Sequence, residues 1–368
     1  MSGAADSLSV ALLNPFFWPE VRRGAERLVH DLAVDLVKLG QQPELITSRR
    51  GLSRRTVEDG FPITRNWRPP EPWTVRSIEA NLSHVPFSYR SLVRRGPDIA
   101  HAFYPTDALA ALRYAEKTDQ PAVFSYLGKP NRQVLASMRL RKAILERVIG
   151  GASAVTTLSR SAADAMWRWF GVESRVLHPG VDIDAFTPGP GRAEVPTIAC
   201  TGAVDDARKR IPLLLKAFAL VRRERPTARL LLTRPRQPKL AARLTRESPG
   251  VELVPEERPV ETVYREAWVS GLTSYNEAFG LVLVESLACG TPVFAARDGG
   301  PAEIVHTPQI GRLFDGDEER DVARAILEAL ELTDAPGTAE ACRERASAFT
   351  SIESARATLA LYRELVSG

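Results

Sequence analysis

Short apolar, β-branched runs alternate with amphipathic stretches from one end of the 368-residue chain to the other. The runs predict buried strands, and stripes repeating every three to four residues predict helices lying on them. In the first unit Ser9–Leu13 is a strand and Asn14–Gly24 a long loop. Ala25–Leu39 follows as a helix with apolar side chains at 25, 28, 29, 32, 33, 36 and 37. Gly40 stands where a helix end favours a left-handed residue, and Leu45–Thr47 begins the next strand. Residues 49–97 are rich in Arg, Pro and Trp and weakly periodic. Strands resume at Asp98–Phe103, Ala122–Tyr126, Ala154–Leu158 and Arg175–Leu177, with helices at Ala108–Lys117, Arg132–Ile149 and Arg160–Phe170. Prolines and glycines crowd His178–Arg192, the pattern of a linker. A second alternating series starts at Thr197–Gly202 and runs past Leu330. Two successive α/β domains with parallel sheets are therefore expected, with ligands at the carboxyl ends of strands and a cleft between the domains.

Composition narrows the class. Hydrophobic residues make up 44% and charged residues 26%, the balance of a folded globular chain. No apolar run reaches the roughly 18 residues of a membrane span, and the N-terminus lacks a basic n-region, so a cytoplasmic protein is expected. Cys200, Cys289 and Cys342 lie far apart, with neither disulfide nor metal-ligand spacing. Residues 1–178 hold 25 Lys and Arg against 17 Asp and Glu, a net +8, while the remainder holds 24 against 28, a net −4. An anionic partner for the first half follows. Nucleic acid is disfavoured, because that half carries no recognisable nucleic-acid motif.

The densest chemistry lies in Ser274–Gly290, SYNEAFGLVLVESLACG. A strand at Trp268–Thr273 runs into a polar loop, a glycine and an apolar helix. Helix starts offer unpaired N–H groups and a partial positive charge to phosphate. Ala278, Phe279, Gly280 and Leu281 supply those donors here, and Gly280 permits close backbone approach. Glu277 stands at the mouth, where the ordinary reading is an N-terminal cap; Glu285 sits within the helix, where the ordinary reading is a surface charge. The apolar flanks of Glu285 instead favour a buried carboxylate, which needs a partner such as ribose hydroxyls.

Glu277-Ala-Phe-Gly-Leu-Val-Leu-Val-Glu285 resembles the Glu-x7-Glu motif of retaining GT-B glycosyltransferases, specifically family 4. Ala288–Val293, Asp298–Glu303, the Gly24–Ala33 loop and helix, and His178–Asp182 with Phe186 are similar to that family's other signatures, in order along nearly the whole chain. The resemblance implies an N-terminal acceptor domain over residues 1–180, a nucleotide-sugar domain over 181–350, and a final helix within 351–368 crossing back to the first. It implies that Glu277 contacts the transferred sugar, Glu285 the ribose, and the amides at 279–281 the diphosphate or sugar. Lys209 matches the lysine that neutralises the diphosphate. The arginine expected after the glycine of Thr201-Gly is Ala203 here, and Arg208 or Arg210 is the candidate replacement. Gly24 brings amides toward the donor phosphates, with Arg23 where the family has a first glycine, and His101 aligns with a region of acceptor contacts.

The activity so implied is metal-independent sugar transfer from a nucleotide-diphosphate sugar to a glycan, lipid-linked or small-molecule acceptor, with retention and without a cofactor. A nucleotide-sugar epimerase of related fold and a non-catalytic sugar-nucleotide-binding subunit are the alternatives. Arg132–Ile149 is basic and amphipathic, with Val134, Leu135, Met138, Ile144, Leu145 and Val148 as its core stripe. Its cationic side is read either as solvated surface or as a peripheral contact with an anionic membrane.

Overall fold

The apolar run Ser9–Leu13 forms β1, and its last four residues are buried because neighbouring strands flank it on both sides. The computed structural model describes residues 7–21, 24–69, 81–132, 139–235, 237–255 and 257–368. The chain divides into two units, residues 1–178 with 351–368, and residues 179–350.

In the first unit β1 pairs with β2 (Gln42–Arg49) and, further along, β3 (Arg54–Glu58) and β4 (Phe61–Trp67) extend that side. On the other side lie β5 (Ile99–Ala102), β6 (Ala122–Tyr126), β7 (Ala154–Thr157) and β8 (Arg175–Val176). The order is β3-β4-β2-β1-β5-β6-β7-β8, and β3 alone runs antiparallel to its neighbour. The β3–β4 hairpin falls where hydrophobic periodicity was weak. Its turn, Asp59-Gly60, has φ of 49° and 86°, the two positive values of a type I′ hairpin turn for which Asp-Gly is the local signal.

Helices α1 (Gly24–Lys38), α2 (Val85–Arg95), α3 (Pro105–Thr118), α4 (Arg139–Gly151) and α5 (Arg160–Phe170) cover this sheet. The stripe of α1 buries Val29, Leu32, Ala33 and Leu36. Helix Ser351–Ser367 packs against it, adding Ala355, Leu359, Leu361 and Tyr362 to the same core. Each leucine buried there contributes roughly 1.5–3 kcal/mol. In α4, Ile144, Leu145 and Val148 enter the core as the stripe requires; Val134, Leu135, Met138 and the Arg139 side chain lie outside the described residues. On its outer side Lys142 pairs with Glu146, and Arg147 with Glu116. Those pairs fit the solvated reading of this helix. Among the described residues no helix is long and apolar enough to cross a membrane.

The second unit holds β9 (Thr197–Cys200), β10 (Arg229–Thr233), β11 (Val251–Val254), β12 (Val269–Leu272), β13 (Val293–Ala296) and β14 (Gly311–Phe314). All pairs are parallel, in the order β11-β10-β9-β12-β13-β14. The chain builds outward from β9 in one direction, then returns to start again at β12. That reversal between β9 and β12 is where a doubly wound sheet opens a crevice beyond its strand ends. The connecting helices are α6 (Ile211–Glu224), α7 (Pro238–Glu247), α8 (Val260–Glu266), α9 (Leu281–Ala288), α10 (Gly300–Ile304), α11 (Glu319–Leu332) and α12 (Thr338–Ser347).

Candidate active site

The two strands at the reversal deliver the site. Past β9 the chain turns at Gly202 (φ 125°) and makes one 3-10 turn, Ala207–Lys209. Past β12 it crosses residues 273–280 into α9. Three hydrogen bonds strap the loops together: Thr273 Oγ1 donates to the Lys209 carbonyl (2.7 Å), the Tyr275 amide to the Arg208 carbonyl (3.2 Å), and Arg210 Nε to the Thr273 carbonyl (2.5 Å). So held, Lys209 Nζ lies 2.8 Å from Glu277 Oε2, with each side chain 18% exposed. Both groups remain reachable from solvent.

The start of α9 adjoins Glu277 in sequence. Gly280 is its N-cap residue, at φ 102°, a conformation that disfavours any side chain, and no side chain caps the helix. Glu277 is therefore not the cap; its carboxylate is spent on Lys209. The helix's first N–H groups have no acceptor inside the helix and carry its positive end, so the start suits an anion. Ala278 and Phe279 are buried, and Phe279 packs edge-on to Phe349.

The loop is braced from behind by residues to which sequence reading gave no such role. Asp298 Oδ2 accepts from the Asn276 amide at 2.6 Å, and the Gly300 amide donates to the Glu277 carbonyl at 3.1 Å. A Cβ on Gly299 would stand 2.2 Å from the Glu277 carbonyl oxygen, and one on Gly300 2.2 Å from Phe279 Cα. The Asp-Gly-Gly spacing thus serves backbone-on-backbone packing.

Glu285 is buried, so its surface reading does not hold; its Oε2 accepts from the Tyr264 hydroxyl at 2.8 Å. The two candidate arginines part company. Arg210 is committed to the Thr273 carbonyl and to Asp317. Arg208 forks onto Asp206, the hydrogen bonding that raises its pKa, with Glu277 adding to the shift. Burial pushes the Asp206 carboxyl up, but its bonds from Arg208 outweigh that and leave it below the usual range. Arg208, half-exposed and electrostatically linked to Glu277, is the better placed cation.

The remaining candidates belong to the first unit. Gly24 opens α1, exposed and with no described atom within 4 Å of where a Cβ would stand. Nothing around it demands a glycine. Arg23 lies outside the described residues. His101 is 1% exposed, with Nδ1 2.5 Å from the Tyr362 hydroxyl and Nε2 2.6 Å from Ser125 Oγ. With both ring nitrogens engaged in the core, neither is offered to an acceptor, and this geometry is that of a structural histidine.

Burial pushes the His101 pKa from 6.5 down to about 3. The unfolded chain accepts a proton in that window and the folded protein does not. Stability from His101 is therefore complete above about 6.5 and lost as pH falls toward about 3. Urea denaturation across that range should show a shallower acid decline for His101→Gln than for the parent; equal slopes contradict the assignment.

All three cysteines are buried, and burial pushes their thiols to about 11 for Cys200 and about 12 for Cys289 and Cys342, so none is a ready nucleophile. Among the described residues no group of three His, Cys, Asp or Glu could hold a metal ion.

Residues 22–185 match the family described as Glycosyltransferase Family 4, and residues 195–332 the one described as Glycosyl transferases group 1. The chain is 35% identical over 212 residues to the D-inositol 3-phosphate glycosyltransferase of Mycolicibacterium smegmatis, a match covering 52% of this chain and 48% of that protein. It thus spans about half the length of that relative. Among solved structures, sucrose-phosphate synthase from Thermosynechococcus elongatus is similar at a TM-score of 0.83 and 22% identity, over 98% of this chain and 99% of that one. HepE from Anabaena in complex with UDP-glucose is similar at 0.72 and 18% identity, over 97% and 99%. These identities speak to fold.

Proposed function

The chain belongs to the family 4 glycosyltransferases and has the GT-B fold, and from that premise we propose that it moves a sugar from a nucleotide-diphosphate sugar to an acceptor hydroxyl with retention. The observation that carries the proposal is the pairing of Lys209 with Glu277 beside the start of α9, at the carboxyl ends of β9 and β12.

The leaving group is a diphosphate, so catalysis requires positive charge and N–H donors where negative charge grows. Lys209 and the amides at 279–281 supply them, with Arg208 adding charge; no metal or cofactor is invoked. A part-exposed ion pair such as Lys209–Glu277 contributes only about 0.2–1 kcal/mol. Hydrogen bonds from a cation to phosphate contribute about 1.5–3 kcal/mol. The diphosphate therefore draws Lys209 away and frees Glu277 to position the sugar and stabilise its oxocarbenium-like state. The anomeric C–O bond to phosphate breaks while a new C–O bond forms on the same face, and the acceptor proton passes to the departing phosphate.

Glu285 takes the ribose hydroxyls. Glu285→Ala should raise the donor KM by about tenfold, the loss of a charged hydrogen bond, and leave kcat near the parent value. An unchanged KM removes that role.

Gly24 is read as bringing amides toward the donor phosphates, and the net +8 of residues 1–178 suits an acceptor bearing negative charge. The relative named for D-inositol 3-phosphate and the neighbour holding UDP-glucose make phosphorylated polyols and uridine nucleotides the first probes. A peripheral contact with anionic membranes has less support, since two cations of α4, Lys142 and Arg147, are already paired with glutamates.

The test is incubation of the protein with UDP-, GDP-, ADP- and TDP-sugars, alone and with such acceptors, read by NMR. Transfer with an unchanged anomeric configuration supports the proposal. A new nucleotide sugar formed from the donor alone identifies an epimerase, and inversion removes retention.

A further inference from the structure

Three separate elements converge on one phenol. Thr201 follows β9 directly, Tyr264 belongs to α8 and Glu285 to α9. Tyr264 is fully buried, and its hydroxyl lies 2.8 Å from Glu285 Oε2 and 2.6 Å from Thr201 Oγ1. Proton counting gives the chain a direction. A carboxylate only accepts, and a phenol has a single proton to give. With the phenol donating that proton to Glu285, the Thr201 hydroxyl must donate to the Tyr264 oxygen.

A glutamate side chain has several torsions and loses appreciable entropy when fixed. If Glu285 recognises ribose, something must hold its carboxylate before the nucleotide arrives, or binding bears the cost of ordering it. Tyr264 is that group: a ring locked in the core, carrying a hydroxyl oriented from the end of β9. Phenylalanine would fill the same volume, so packing alone does not require the hydroxyl.

We infer that Tyr264 is a positioning residue for the donor nucleotide, its hydroxyl, oriented by Thr201, fixing the Glu285 carboxylate where the ribose hydroxyls meet it. The inference rests on the ribose role proposed above and extends it to two residues with no predicted part in the site.

The experiment compares dissociation constants, by calorimetry, of UDP, GDP and ADP with those of their 2′,3′-dideoxy forms, for the parent, Tyr264→Phe and Thr201→Val. The parent should prefer the ribose form of the nucleotide it binds by about tenfold. Tyr264→Phe should bring that ratio close to one, and Thr201→Val should lower it part of the way. Because the readout is a ratio, a lower folded fraction does not imitate the result. In turnover the same variants should raise the donor KM while kcat is kept. A full parental ratio in Tyr264→Phe overturns the inference while leaving the ribose role intact. A ratio of one in the parent shows instead that the ribose role itself fails, and the inference with it.

Discussion

Lys209→Ala and Glu277→Ala should each lower turnover by about two to three orders of magnitude, the range for removing one group that stabilises a transition state. The melting temperature should hardly move. The pair joining these residues is part-exposed and contributes about 1 kcal/mol at most, while the loops that carry them are strapped by bonds from Thr273, Tyr275 and Arg210. Lys209→Ala should also weaken binding of nucleoside diphosphates more than of monophosphates, the result expected of a lysine proposed to neutralise the diphosphate. Glu277→Ala should spare nucleotide binding and lose the chemical step. Near-parental rates in both variants, measured in steady state, contradict the assigned site.

The second large effect is expected at two glycines that carry no side-chain chemistry of their own. Gly300→Ala places a methyl group 2.2 Å from Phe279 Cα, and Gly299→Ala places one 2.2 Å from the Glu277 carbonyl oxygen at a φ of 79°. Backbone is what stands in the way, so no side-chain rotation relieves the contact. Overpacking of this kind costs about 1–3 kcal/mol, and the positive φ of Gly299, in a region essentially reserved for glycine, adds about 1–3 kcal/mol. Thermal unfolding should therefore fall by several degrees, roughly 5–10 °C. Donor affinity should fall as well, because the displaced segment carries Glu277 and the amides leading into α9. Gly24→Ala is the control, since nothing described stands within 4 Å of its Cβ position and it should fold normally. A Gly300→Ala protein with parental stability and donor affinity refutes the bracing role.

The period-based reading succeeded where a single local pattern decides the outcome. Ser9–Leu13 and Ala122–Tyr126 are mostly apolar and became interior strands of the first sheet, and the stripe of α1 became its buried face. Within residues 49–97, Arg54–Glu58 resisted because β3 is an exposed edge strand, with little burial to print a period on its sequence. The Asp59-Gly60 dipeptide was the legible sign there.

Site residues divided along a similar line. Glu277, Gly280 and Lys209 sit in short motifs beside strand ends, so sequence alone nominates them as candidates. Tyr264 and Asp298 act through partners 21 and 22 residues away, contacts that exist only once the sheet has formed. Arg208 and Arg210 are two residues apart and chemically alike, and only the loop's left-handed turn at Arg210 sends one toward Thr273. His101 illustrates the reverse: its strand-end position suited a functional residue, yet burial and two hydrogen bonds place it in the core.

The diphosphate's position is tested most directly by a crystal structure of the protein bound to UDP, GDP or ADP. The account predicts a phosphate oxygen within about 3 Å of both Lys209 Nζ and an amide at 279–281, with Lys209 turned away from Glu277. A nucleotide lodged elsewhere, or one bound while the Lys209–Glu277 pair stays closed, contradicts it.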